Sequence, residues 1–95
     1  MPNKEIRSSV SSVTSVAAST SNTQILALNA DRLGAIVFND SNSNLYLKLG
    51  TDASTTSFTL LLGKQDYYEI PSNYIGAIYG VWGAAIGNAR VTELT

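Results

Sequence analysis

The stretch that most constrains this chain is residues 34–49, GAIVFNDSNSNLYLKL. Two runs of apolar, β-branched and aromatic residues flank a polar segment. Ala35, Ile36, Val37 and Phe38 form the first run, and Leu45, Tyr46, Leu47, Lys48 and Leu49 the second. Between them lie Asp40, Ser41, Asn42, Ser43 and Asn44. Their short side chains hydrogen-bond their own backbone and tolerate left-handed conformations. Two such runs about such a turn predict a β-hairpin. Side chains alternate between the faces of a strand, so Leu45, Leu47 and Leu49 share one face and Tyr46 and Lys48 the other. The leucine face needs a second layer, and the rest of the chain must supply it.

The remaining segments read as more strands. In residues 10–21, VSSVTSVAASTS, valine recurs every third position, but Ser, Thr and Val are poor helix formers. Residues 13–17 therefore read as a strand or an extended arm. Residues 23–28 form a short strand, followed by a turn at Asn29, Ala30, Asp31 and Arg32, with Gly34 leading back into a sheet. Residues 56–62 alternate, with Phe58, Leu60 and Leu62 on one face, and residues 63–66 close that strand as a turn. A strand at 67–70 ends at Pro71, which cannot donate to a central ladder. In the run 75–82, Gly76 and Gly80 mark a bulge or a close backbone approach. Residues 88–94 make the closing strand. Short strands at this spacing predict an all-β fold, a small antiparallel β-sandwich or jelly-roll-like barrel. The expected organisation is an extended N-terminal arm at 1–12 and a sandwich domain at 13–95.

Composition excludes more than it includes. The chain contains no His and no Cys. The usual neutral-pH general base is missing, and no disulfide can staple the fold. Charged residues make up 14% of the chain and net charge is −1, with no basic stripe of the kind that binds nucleic acid. No window reaches the ~18 consecutive apolar residues of a membrane span. Lys4 and Arg7 precede a Ser/Val/Ala run, but Glu5 and the interrupting serines make a poor signal peptide. Asp40, Asn42 and Asn44 match the opening ligand positions of an EF-hand loop. Leu45 then stands where the loop needs Gly, and Thr51 where it needs Glu. Asp66 and Glu69 read as solvated acids, since residues three apart on a strand face opposite ways. Abundant serines have no activating partner. No enzyme, metal or cofactor is expected. Phe38, Phe58, Tyr79 and Trp82 are expected in a core or an interface, the common fates of aromatic side chains. A chain of this size gains little net stability from its own core, so oligomerisation is the natural further stabiliser.

Several segments carry a resemblance when taken in order. They are Val13-Thr14-Ser15-Val16-Ala17-Ala18-Ser19, Leu28-Asn29-Ala30-Asp31-Arg32-Leu33-Gly34-Ala35 and Phe38-Asn39-Asp40-Ser41. Then follow Leu45-Tyr46-Leu47-Lys48-Leu49-Gly50, Tyr67-Tyr68-Glu69-Ile70-Pro71 and Ala89-Arg90-Val91-Thr92-Glu93-Leu94. Across residues 13–94 the chain resembles small virion structural proteins of tailed bacteriophages. The resemblance implies a capsid decoration or cement protein, located in the virion after assembly in the host cytoplasm. It implies a homotrimer whose partner is the major capsid protein or another virion protein, with neither nucleic acid nor membrane as a partner. The expected anchor is residues 6–21, with Ile6, Val10, Val13 and Val16 as contacts, joined by Tyr74 and Trp82. The alternative is a head- or tail-fibre module that touches host glycans through Tyr and Trp side chains.

Overall fold

A computed structural model describes residues 7–95 of the chain. Ile6 lies outside the described residues. Eight strands follow one another: β1 (Ser11–Ala17), β2 (Thr23–Leu26), β3 (Gly34–Asp40), β4 (Leu45–Leu49), β5 (Leu60–Leu62), β6 (Tyr67–Ile70), β7 (Ile78–Trp82) and β8 (Asn88–Leu94). They form two antiparallel four-stranded sheets, ordered β1-β8-β3-β6 and β2-β7-β4-β5. The chain is all-β, a small sandwich. The expected sandwich domain began at residue 13, whereas β1 begins at Ser11.

Alternation builds the core. In β3 every second side chain is buried, and Ala35, Val37 and Asn39 point inward. In β8, Ala89 and Val91 do the same. Leu45 and Leu47 of β4 and Ile78 and Trp82 of β7 meet them from the other sheet, and Ile25, Leu62 and Ile70 complete the cluster. The predicted leucine face of β4 is thus the inner face of its sheet. Gly80 belongs to this layer for a steric reason. A Cβ there would sit 2.8 Å from Leu45 Cδ1, so the glycine marks the close approach its place in an apolar run predicted.

The predicted hairpin at 34–49 is not one. β3 pairs with β6 and β8, whereas β4 pairs with β5 and β7. The polar segment is an arch that carries the chain from one sheet to the other. The reason lies in Asn39 and Ser41, both buried. The Asn39 amide donates to the carbonyls of Ser43, Leu62 and Gly63 at 2.8–3.0 Å. Its Oδ1 accepts from Ser41 Oγ at 2.8 Å and from the Trp82 indole N–H at 3.2 Å. These bonds satisfy the polar groups inside the fold, so the turn roofs one end of the sandwich instead of standing in water.

Other boundaries differ from expectation as well: β2 ends at Leu26 and not at residue 28, and β7 begins at Ile78 and not at residue 75. The strand predicted at 56–62 is regular only over Leu60–Leu62. Ser54 and Ser57 instead form a tight turn with reciprocal backbone bonds. Phe58 then packs edge-on against Tyr46, with ring centroids 5.0 Å apart. The turn at 29–32 holds a buried charge that its sequence does not announce. Arg32 is 2% exposed. Its Nε lies 2.9 Å from Glu93 Oε2, and its other nitrogens donate to the carbonyls of Ala27, Tyr74 and Gly76. One guanidinium therefore ties the β2–β3 and β6–β7 loops to β8.

Candidate interaction surface

A two-sheet sandwich has four edge strands, and edges are where foreign strands attach. Three of them carry recognised protections. β5 is only three residues long. β2 is four residues long and broken by a register shift between Gln24 and Leu26. β6 is four residues long, contains Glu69 and is followed by Pro71. β1 carries none of these. It runs for seven residues, SSVTSVA, with no charge and no proline, and pairs with β8 in unbroken register along its whole length.

The unused hydrogen-bonding groups of β1 can be assigned. The Thr95 N–H donates to Val10 O at 3.1 Å, and the Ala18 N–H donates to Gly87 O at 3.0 Å. Residues alternate along an antiparallel ladder, so even-numbered positions of β1 address β8. The N–H and C=O groups of Ser11, Val13, Ser15 and Ala17 point the other way, where no strand lies among the described residues. Side chains on β1 are equally open. Ser12 and Thr14 face inward yet are exposed, so the second sheet does not reach over this strand. Val16 alone is half-buried and packs on the core.

Beside this edge lies the outer face of its sheet. Register places Val13, Thr92, Ile36 and Glu69 in one row across it, and Ser15, Arg90, Phe38 and Tyr67 in the next. Val13 is 66% exposed and Tyr67 is 65% exposed. Arg90 Nε meets Asp40 Oδ2 at 3.0 Å on the surface, a contact that contributes little to stability. An open hollow of about 270 Å³, lined by Ser8, Ser9, Val10, Ser11 and Leu94, lies where β1 begins.

The expected partner contacts therefore divide. Val10, 58% exposed, and Val13 stand on the open edge, and Val16 lies at its inner side. Tyr74 is half-buried against the core, its hydroxyl donating to Ala77 O at 2.7 Å. Trp82 is 1% exposed. Its ring fills the space between the sheets, so it is a core residue and not a contact surface. The aromatics left facing outward are Phe38 and Tyr67 on one sheet and Tyr46 and Tyr79 on the other, with Phe58 beside Tyr46. Sequence reasoning missed Ile36, Phe38 and Tyr67 as one patch. The signal was present in the run AIVF, apolar at both odd and even positions, which leaves its strand no polar face for water. Among the described residues, no three His, Cys, Asp or Glu side chains come together as a cation site. Compared with known proteins, the chain matches no family model, no curated protein and no solved structure.

Proposed function

We propose that this protein is a structural subunit of a tailed-bacteriophage virion that decorates and cements the outer surface of the capsid. The observation that carries the reading is the unguarded edge of β1, with Ile36, Phe38 and Tyr67 on the sheet face beside it. Uncharged edge strands and apolar faces are means of binding other subunits, and they need no reacting group. The resemblance supplies the particle, and the surface supplies the mode of attachment. In this reading β1 joins one decorating subunit to another. Residues ahead of it, together with Ile36, Phe38 and Tyr67, meet the major capsid protein or another virion protein.

The test uses capsids stripped of decorating subunits. The purified protein should sediment with them and raise their disruption temperature, since a ligand that binds only the assembled state stabilises it. The paired changes Phe38→Ser and Tyr67→Ser should abolish that rise while the isolated protein stays folded. A wild-type protein that leaves the capsids unchanged overturns the capsid reading.

A second reading rests on the other outer face. There Tyr79 stands between Gln24 and Lys48, close to the Tyr46–Phe58 pair, a set of half-buried to exposed rings with polar neighbours. This is the surface a fibre module would offer to a glycan, in place of Tyr74 and Trp82. A glycan array that shows binding lost on Tyr79→Ala would select this reading over decoration.

A further inference from the structure

From the exposed groups of β1 we infer that its edge is occupied by β1 of a second copy, in antiparallel register about a two-fold axis through Thr14. Four observations converge on this occupant. The first is hydrogen-bond parity. The outward groups belong to Ser11, Val13, Ser15 and Ala17. An antiparallel ladder joins residues whose outward groups face each other. The register centred on Thr14 sets Val13 against the second copy's Ser15 and Ser11 against its Ala17. Every outward N–H and C=O of both strands is then paired. A shift of the centre to Val13 or Ser15 leaves the parity intact but strands a residue at each end.

The second observation is charge. On a strand that faces itself across a two-fold axis, a charge at or beside the axial residue meets its like on the copy. β1 has none. The third is clearance. The second sheet stops short of β1, which leaves Ser12 and Thr14 exposed on the inner side, so a neighbouring strand enters without meeting β2. The fourth is the pair on the axis itself. Thr14 would oppose its copy at a non-hydrogen-bonded position, and Thr–Thr is among the favourable cross-strand pairs. The result is one continuous eight-stranded sheet, with Ile36, Phe38 and Tyr67 of both copies on a common outer face. The symmetry is two-fold and so takes the place of the trimer that the resemblance implies.

The absence of cysteine from the chain makes the register directly testable. At a non-hydrogen-bonded antiparallel pair the Cα atoms lie about 4.5 Å apart, inside the range a disulfide spans. Under mild oxidation the full chain carrying Thr14→Cys should form a covalent dimer. Ser12→Cys should not, because its symmetry mate lies about 13 Å along the ladder. The unsubstituted protein should have the solution mass of two chains. Ser15→Pro should return it to one chain, since only an outward-facing N–H is lost. Thr14→Lys does the same by setting like charges opposite each other on the axis, and serves if the proline disturbs folding. A monomer with no Thr14→Cys cross-link overturns the inference. So does a trimer, or a dimer that survives both Ser15→Pro and Thr14→Lys, or a cross-link through Ser12→Cys in place of Thr14→Cys. The inference does not depend on the capsid: a cross-linked dimer that ignores capsids defeats only the decoration reading.

Discussion

β8 has a strand on each side, and the two are equal in length and pairing but unequal in burial. β1 and β3 are seven residues each, and each pairs with β8 along its full length. In β3 the inward side chains are buried, whereas in β1 five consecutive residues are exposed before Val16. Backbone pairing is therefore the same on both sides, and only one side adds packing between the sheets. A paired ladder without a covered face contributes little apolar burial, which is the dominant favourable term in folding. β3 holds the fold together. β1 is held in place by the fold, and no strand lies along its outer edge among the described residues.

The largest expected effect breaks the layer on which β3 rests. Trp82→Ala removes the biggest buried side chain and leaves Asn39 Oδ1 without the indole donor. The cost should be about 3–5 kcal/mol, the usual range for such truncations. Urea unfolding should show a much lower midpoint at unchanged slope. A loss below about 1 kcal/mol would mean that the inter-sheet layer is not what stabilises β3. Glu93→Ala comes next. Glu93 sits on the inner face of β8, opposite Ser12 on one side and Ala35 on the other, and is the ion-pair partner of the buried Arg32. Its removal leaves a buried charge unpaired, at about 3 kcal/mol. Arg32→Met combined with Glu93→Ala should recover part of that loss, because the unpaired charge is then gone.

Gly87 tests the arch at the end of β3. Its φ is +101°, and an added Cβ would lie 2.6 Å from Ser41 Cβ and 2.9 Å from Asp40 O. Gly87→Ala should cost about 1–3 kcal/mol through backbone strain and displacement of the arch. Thermal unfolding of this variant should move down by several degrees.

The same contrast explains what could be read in advance. Alternation located the strands, because it is a property of adjacent residues: residues 67–70 and 88–94 match β6 and β8 end to end. It could not tell an arch from a hairpin, since both are two strands joined by a polar loop. The difference lies in Asn39, whose amide reaches carbonyls at Leu62 and Gly63, more than twenty positions away. Arg32 and Glu93 are likewise 61 positions apart, and nothing local marks either as buried. The exposure of β1 was partly legible. SSVTSVA has no apolar stripe at either parity, so neither face could be covered along its whole length, and Val16 alone reaches the core. Whether its edge was free depended on the strand order, which no local pattern encodes.

One substitution made on both sides of β8 sharpens the comparison most closely. Val37 and Val13 flank β8 on opposite faces of the sheet: Val37 points inward opposite Val91, and Val13 points outward opposite the neighbouring Thr92. Val→Thr keeps the shape and replaces a methyl by a hydroxyl, so only the surroundings differ. Val37 is fully buried among apolar side chains, where a hydroxyl without a partner costs about 1–3 kcal/mol. Val13→Thr places its hydroxyl in water, and the change should stay within about 0.5 kcal/mol, as surface substitutions do. Denaturant midpoints of the two variants, measured at a concentration where the chain is monomeric, separate the two environments of one strand's neighbours. At higher concentration the Val13→Thr midpoint should rise in step with that of the unsubstituted protein, because the edge acts through its backbone and not through the valine side chain. Were Val13→Thr as damaging as Val37→Thr under the dilute condition, the outer face of β1 would be covered, and the open surface assigned to that strand would fall.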